Sequence, residues 1–365
     1  TPEIYTLSLH DALPIFELRY KNIYRPGSTT PTGQEPEVTP FEAMFTQLRP
    51  MYYAAKEKAA KESTDQFKKG VGVSLGIYGC GLDGQDGSQA DVELTKDGIT
   101  VYASWEDHGQ GADMGVLGTA HMALLPLEID PTQIKLVMND TAITPNSGPA
   151  GGSRSQVVTG NAIKNGCEQL ITAMRRPDGS YRSYDEMIAD SIPLRYEGKW
   201  SASSATNCDE NGQGKPFLVY MYGVFMAEVT VNTKNGKTVV DKVTVMADPG
   251  KINNKLVVDG QIYGGIAQGI GLALSEDFED IEKHSTMLGA GIPYANDIPD
   301  DIEIHYFEST RPDGPFGAAG VGELPLTSPH VAIINAITNA TGVRVRHLPA
   351  YPEKVLAGLK ELKTA

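Results

Sequence analysis

Glu323 is the residue whose sequence context is most typical of a catalytic side chain. It follows a run of small residues at 317–322 and precedes Leu324 and Pro325. Small neighbours on one side and apolar neighbours on the other would confine the carboxylate, as suits a general base that accepts a proton from a reacting group. The motif alone is weak evidence, because a glutamate in an exposed turn can have the same local sequence.

Three further glycine-flanked segments could contact a ligand. Residues 105–113 read WEDHGQGAD, residues 146–156 read NSGPAGGSRSQ, and residues 263–271 read YGGIAQGIG. The first two lead into predicted helices, whose free N–H groups suit an anion such as phosphate. Acidic residues beside His108 could instead indicate a metal site, but adjacent side chains point in different directions and no H-E-x-x-H spacing supports it. Taken alone, His108 fits a hydrogen-bonded structural histidine better than a ligand.

The segment at 263–271 does not match the dinucleotide-binding fingerprint. Its glycine spacing differs from G-x-G-x-x-G, and no predicted βαβ unit contains it. Gln268 is a polar residue on this otherwise apolar helix, where tight helix packing would explain the glycines equally well. A plain surface loop would likewise explain residues 146–156, and no G-x-S-x-G elbow supports a serine hydrolase.

The elements that must position these segments alternate irregularly between strands and helices. Strands are predicted at 71–78, 90–94, 99–104, 134–138, 220–231 and 238–246. Helices are predicted at 51–69, 110–124, 159–174, 259–274 and 331–341, with a short one that begins at the capping box of Ser183 and Glu186. Residues 16–50, rich in proline, threonine and glutamate, are predicted to be an extended connector. The pattern predicts an α+β fold.

Charge and composition argue against several classes of partner. The chain has 31 basic and 46 acidic side chains and a net charge of −15, which disfavours binding to nucleic acid or to anionic membranes. No apolar run approaches the length of a membrane span. The three cysteines, Cys80, Cys167 and Cys208, lack the spacing of a disulfide framework or an iron–sulfur site. A reducing compartment, the cytoplasm, is therefore expected.

Taken in order, the four glycine-flanked segments resemble the molybdenum-binding region of the xanthine oxidase family. The strings that carry the resemblance are DHGQGAD, SGPAGGSRSQ, GQIYGGIAQGIG and GAAGVGELPLTSPH, and it extends over residues 16–360. It implies a molybdopterin-binding α+β domain of two subdomains, with mixed sheets and packed helices. The match is closest to the bacterial aldehyde oxidoreductases, which implies oxidation of small aldehydes to carboxylic acids.

The resemblance also implies roles for individual residues. Glu323 corresponds to the glutamate beside the metal that acts as general base. The residues that correspond to cofactor-binding positions are His108, Gly109, Gln110, Gly111, Gly151, Gly152, Ser153, Gln156 and Gln268. Tyr78 and Leu82 correspond to the wall of the substrate channel. The pterin dithiolene holds molybdenum in this family, so no protein side chain is expected to ligate the metal.

By the same resemblance, the cofactor is molybdenum–molybdopterin cytosine dinucleotide. Two [2Fe-2S] clusters would lie in an N-terminal region that this sequence lacks, a flavodoxin or ferredoxin would accept the electrons, and the enzyme would be a homodimer. Residues 1–15 resemble a translated sequencing adapter and are expected to be non-native. Residues 16–69 are assigned to a connector and the end of the first half of the molybdenum domain, and residues 70–365 to its second half.

A chain of this extent is expected to be a fragment that is inactive alone. Two alternatives stay open at this point. One is a molybdenum hydroxylase of N-heterocycles such as purines or nicotinate, which would use the same base. The other is a non-catalytic cofactor-binding module.

Overall fold

The computed structural model describes residues 15–364. The predicted non-native segment, apart from Ile15, lies outside the described residues. In chain order the strands are β1 (Phe67–Cys80), β2 (Gly87–Thr95), β3 (Gly98–Ala103), β4 (Ile134–Met138), β5 (Arg195–Ser201), β6 (Val219–Asn232), β7 (Thr238–Asp248) and β8 (Ile302–Tyr306). In chain order the helices are α1 (Ile15–Lys21), α2 (Phe41–Glu62), α3 (Ala112–Leu124), α4 (Ser155–Met174), α5 (Tyr184–Ala189), α6 (Lys255–Leu274), α7 (Pro329–Thr341) and α8 (Pro352–Thr364). The predicted α+β fold is confirmed.

The first sheet has the strand order β1–β6–β7–β8 and is antiparallel except for the β7–β8 pair. Side chains of β6 alternate between two apolar layers, as the pleat of a strand requires. Met221 and Phe225 join the layer that contains α6 and α7. Tyr222 and Val224 face the opposite layer, which α1 and α2 supply. Because β6 is covered on both faces, its sequence is an almost continuous apolar run.

The predicted extended connector at 16–50 is wrong, because parts of it form packed helices. Phe16 in α1 and Phe41 and Phe45 in α2 are 0 % exposed and cover one face of the first sheet. Helix α2 continues through Pro50, although an interior proline costs about 3 kcal/mol in an isolated helix. Apolar burial against the sheet outweighs that cost. Strand β1 begins at Phe67, inside the segment that was predicted as helix and before the predicted domain boundary.

The second sheet has the order β4–β3–β2–β5, with β3 and β4 parallel. Helices α3 and α4 cover it, and the predicted apolar stripe of α4 is buried. The stripe predicted on α3 is only partly correct, because Met114 is 42 % exposed while Val116 and Ala120 are fully buried. A side chain at Gly115 would lie 2.7 Å from the ring of Trp105, so the buried face of α3 is made of small residues that admit the indole.

Helix α6 begins at Lys255, and the side chain of Asn254 accepts a hydrogen bond from the Val257 N–H at 3.3 Å.

Gly264 lies on the exposed face of α6, with no atom within 4 Å of the position that a Cβ would occupy. The Gly264→Ala variant is therefore expected to be more stable, with a free energy of unfolding about 0.5–1 kcal/mol larger. At Gly265 a Cβ would lie 2.5 Å from that of Pro325, so Gly265→Ala is expected to be destabilising. Urea denaturation followed by circular dichroism measures the free energy of unfolding of both variants. Equal changes in Gly264→Ala and Gly265→Ala would contradict this packing.

Within residues 15–364, no helix is long and apolar enough to cross a membrane.

Candidate functional site

A cavity of about 310 Å³ brings together residues from four chain segments, at 105–115, 150–156, 249–261 and 318–323. This volume is at the lower end of the range for ligand pockets, about 300–1,000 Å³. Three of the four glycine-flanked segments that were identified in the sequence therefore meet at one site. The fourth, at 263–271, lies further along α6 and does not reach it.

The cavity receives most of the predicted site residues. Those that line it are His108, Gln110, Gly111, Gly151, Ser153, Gln156 and Glu323. Gly109 and Gly152 belong to the same loops but do not contribute to the lining.

Gln268 does not line the cavity, and its predicted place beside the cofactor stays a prediction. Its side chain is exposed on α6, whereas Gln261 lines the cavity. The two residues are seven positions apart and so lie on nearly the same helix face, about 10 Å apart along the axis. Helical spacing could therefore not decide which glutamine reaches the site.

Tyr78 and Leu82 lie outside the cavity lining, on two sides of the end of β1. Burial, the negative charge of Glu323 and a hydrogen bond to Glu323 raise the pKa of Tyr78 to about 12. Tyr78 is therefore a neutral phenol at physiological pH and can donate to the Glu323 carboxylate. Leu82 is 45 % exposed in the loop after β1. The assignment of both residues to a substrate channel stays a prediction.

Glu323 is half-buried and contacts Ser153 twice. The Ser153 hydroxyl donates a hydrogen bond to Oε2 of Glu323 at 2.8 Å. The backbone N–H of Glu323 donates to the same Ser153 Oγ at 3.1 Å. The carboxylate is thus held in a defined orientation at the cavity wall, where it could accept a proton.

The side chain of Asp107 lies at the N-terminus of α3, where its carboxylate accepts a hydrogen bond from the Asp113 N–H at 3.4 Å; the anion site suggested for this N-terminus stays a prediction. The Asp107 carboxylate accepts hydrogen bonds from the N–H groups of Gly109 at 2.7 Å and Gly111 at 3.4 Å. Partial burial opposes ionisation, but these backbone hydrogen bonds outweigh it and lower the pKa of Asp107. In the described part of the chain, no group of three or more His, Cys, Asp or Glu side chains could hold a metal ion.

Several lining residues were missed in the sequence because they precede α6. Asn253 donates from Nδ2 to Gly115 O at 3.0 Å and to Gln156 Oε1 at 3.2 Å, and so ties α3 to the start of α4. Lys251 is exposed and brings a cationic side chain to the same cavity. The available signal was the helix-capping residue Asn254. It would have placed the start of α6 at Lys255 and residues 249–254 in a loop after β7.

Arg154 fixes the loop that contains Ser153. Its guanidinium, 1 % exposed, makes a bidentate ion pair with Asp86, with Nε–Oδ2 and Nη2–Oδ1 distances of 2.8 Å each. Nη1 donates to the carbonyl oxygens of Ser147 at 3.0 Å and Pro149 at 2.9 Å. The loop at 147–153 is therefore tied to the start of β2 by a fully hydrogen-bonded buried cation.

The chain is similar to several molybdenum enzymes. Residues 47–299 match the family model of the molybdopterin cofactor-binding domain. The aldehyde oxidoreductase of Megalodesulfovibrio gigas is 64 % identical over 346 residues, which cover 94 % of this chain and 38 % of that protein. A solved structure of the aldehyde oxidoreductase from Desulfovibrio gigas has a TM-score of 0.93 and 63 % identity, and also covers 94 % of this chain and 38 % of that one.

More distant similarity extends to purine enzymes. A probable hypoxanthine oxidase of Escherichia coli is 27 % identical over 324 residues, which cover 83 % of this chain and 33 % of that protein. The chain thus spans well under half the length of these relatives. The family model covers most of the chain and three of the four segments that line the cavity. The chain therefore belongs to the molybdopterin cofactor-binding domain family, within the xanthine oxidase family of molybdoenzymes.

Proposed function

We propose that this chain forms one wall of a molybdenum active site that oxidises aldehydes to carboxylic acids, with Glu323 as the general base. The observation that carries the proposal is the position of Glu323, a half-buried carboxylate at the wall of a cavity lined by three other segments of the chain. The sequence identity of 64 % to a protein named aldehyde oxidoreductase supports the substrate class.

The cofactor would be the cytosine dinucleotide form of molybdopterin. At Gly151 no atom lies within 4 Å of the position that a Cβ would occupy, so a ligand can approach this backbone closely. The cation of Lys251 suits a phosphate group. The residues present therefore fit part of such a group. Since the chain spans 38 % of its relative, the remaining walls would come from the rest of the enzyme.

When bound, the molybdenum cofactor would supply electrophilic activation and the capacity to accept two electrons. Glu323 would accept the proton of the oxygen nucleophile as that nucleophile adds to the aldehyde carbon. General base catalysis of this kind contributes about 10²–10⁴-fold in rate. Tyr78 lies close enough to Glu323 for the carboxylate charge to raise the pKa of its phenol, so it would remain neutral beside the base. Ala318 and Ala319 line the cavity beside Glu323 and would keep its surroundings apolar.

The substrate class can be tested with a larger enzyme. It must contain this region and the parts that correspond to the remaining length of the aldehyde oxidoreductase relative. Acetaldehyde and benzaldehyde are expected to be oxidised, and xanthine is expected not to be. Faster oxidation of xanthine would instead favour the N-heterocycle hydroxylase, which would use the same base. The iron–sulfur clusters, the flavodoxin or ferredoxin acceptor, the homodimer and the cytoplasmic location remain proposals about that larger enzyme.

The 365-residue chain by itself is expected to retain little molybdenum and to show negligible turnover. Its cavity is small. The chain corresponds to only 38 % of the length of the aldehyde oxidoreductase relative. Metal analysis of the purified chain and an assay of aldehyde-dependent dye reduction measure both quantities. Stoichiometric metal together with turnover would show that this chain alone forms the complete site.

A further inference from the structure

We infer that Ser153 is a positioning residue for Glu323 and that its hydroxyl does not hold the cofactor. This inference rests on the proposed role of Glu323 as the base. Ser153 and Glu323 are 170 positions apart in the sequence, yet two hydrogen bonds of 2.8 and 3.1 Å join them.

The hydroxyl of Ser153 has no proton left for a cofactor. A serine hydroxyl carries one donor proton and two acceptor lone pairs. In this structure the proton is donated to Oε2 of Glu323, and one lone pair accepts the Glu323 N–H. A cofactor phosphate needs donors, so Ser153 could bind it through the hydroxyl only by releasing Glu323.

The backbone of Ser153 supports the same conclusion. Its φ angle is +51°, a left-handed conformation that costs a residue with a side chain about 1 kcal/mol or more and that glycine adopts freely. A serine at this position therefore brings a hydroxyl that glycine lacks but adds backbone strain. The hydroxyl contacts Glu323.

Close packing of the two loops brings the hydroxyl to Glu323. The carbonyl oxygen of Gly152 accepts a hydrogen bond from the Gly81 N–H at 2.9 Å. At Gly320 a Cβ would lie 2.3 Å from the carbonyl oxygen of Ser153, so only glycine allows this approach. The Gly320 N–H in turn donates to Sγ of Cys80 at 3.4 Å. Both loops are therefore held against the end of β1.

The test compares Ser153→Gly and Ser153→Ala in the molybdenum-loaded enzyme that contains this region. Both variants remove the hydroxyl, but only glycine also removes the backbone strain. In both, kcat per molybdenum is expected to fall about tenfold, the factor that corresponds to one hydrogen bond to a charged group. Molybdenum content and KM are expected to stay close to those of the unmodified enzyme. A crystal structure of Ser153→Gly is expected to show the Glu323 side chain in more than one orientation.

Three results would overturn the inference. A loss of molybdenum with unchanged kcat per molybdenum would assign Ser153 to the cofactor. An unchanged single orientation of Glu323 in the Ser153→Gly crystal structure would show that the hydroxyl does not position it. A large difference in kcat per molybdenum between the two variants would assign the effect to backbone strain.

The Glu323→Gln variant separates this inference from the function on which it depends. If Glu323→Gln keeps full turnover, the proposed role of Glu323 as base is wrong. If Glu323→Gln is inactive and Ser153→Gly keeps normal turnover, only the inference about Ser153 is wrong.

Discussion

Replacing Glu323 with glutamine is expected to lower kcat for aldehydes about 10²–10⁴-fold in the molybdenum-loaded enzyme that contains this region. Glutamine has the same length, and its carbonyl oxygen can still accept the hydrogen bond from Ser153. It cannot accept a proton at neutral pH, so the variant loses the chemical role and keeps the geometry. KM is expected to change little, because proton transfer occurs in the transition state and not on binding.

The matched control for this change is Glu282→Gln. Glu282 is exposed in the loop after α6 and does not line the cavity, so its replacement is expected to leave turnover unchanged. Steady-state rates should be divided by the molybdenum content of each preparation, because a loss of cofactor would otherwise imitate a loss of the base. Unchanged turnover per molybdenum in Glu323→Gln would support a non-catalytic cofactor-binding module.

Replacing Arg154 with methionine is expected to lower the free energy of unfolding by about 3–5 kcal/mol. The ion pair between Arg154 and Asp86 is almost fully buried, with side-chain exposures of 1 % and 6 %. Removing the guanidinium leaves the Asp86 carboxylate buried without its main partner, and it leaves the carbonyl oxygens of Ser147 and Pro149 without donors. Urea denaturation of the 365-residue chain, followed by both fluorescence and circular dichroism, measures the change.

Two further variants define what the Arg154→Met result means. Lys61→Met removes an ion pair whose side chains are 72 % and 68 % exposed, and it is expected to cost at most about 1 kcal/mol. The double variant Arg154→Met/Asp86→Leu removes both charges and is expected to recover part of the loss. Limited proteolysis is expected to cleave Arg154→Met within residues 146–153, which the guanidinium no longer holds. A loss no larger than that of Lys61→Met would show that the buried pair does not stabilise the fold.

Several features of the fold that depend on local physics were predicted correctly. The β2–β3 and β6–β7 hairpins follow from the turn sequences Lys96-Asp97-Gly98 and Asn235-Gly236. The buried stripe of α4 follows from its helical period, and the start of α5 follows from the capping box of Ser183 and Glu186. Each of these features is decided by residues close together in the chain, so the sequence alone was sufficient.

The candidate site was predictable at the level of loops but less so at the level of side chains. Runs of small residues marked three of the segments that line the cavity. The choice between Gln261 and Gln268 depended on how far α6 extends past the cavity. The contact of Asp107 with the first turn of α3 depended on the path of the loop before the helix. Neither could be read from spacing, because both depend on where a segment lies relative to the rest of the fold.

By itself the sequence determined the α+β class, most strand and helix positions and the glycine-flanked loops that surround the cavity. Only the tertiary structure decided that Phe16 and Phe41 pack over the first sheet, in a segment whose composition suggested an extended connector. It also placed the hydroxyl of Ser153 against the carboxylate of Glu323. The physical reason is the same in both cases. Burial and hydrogen bonding between distant segments can outweigh local preference, and no local pattern records which distant partner a residue will meet.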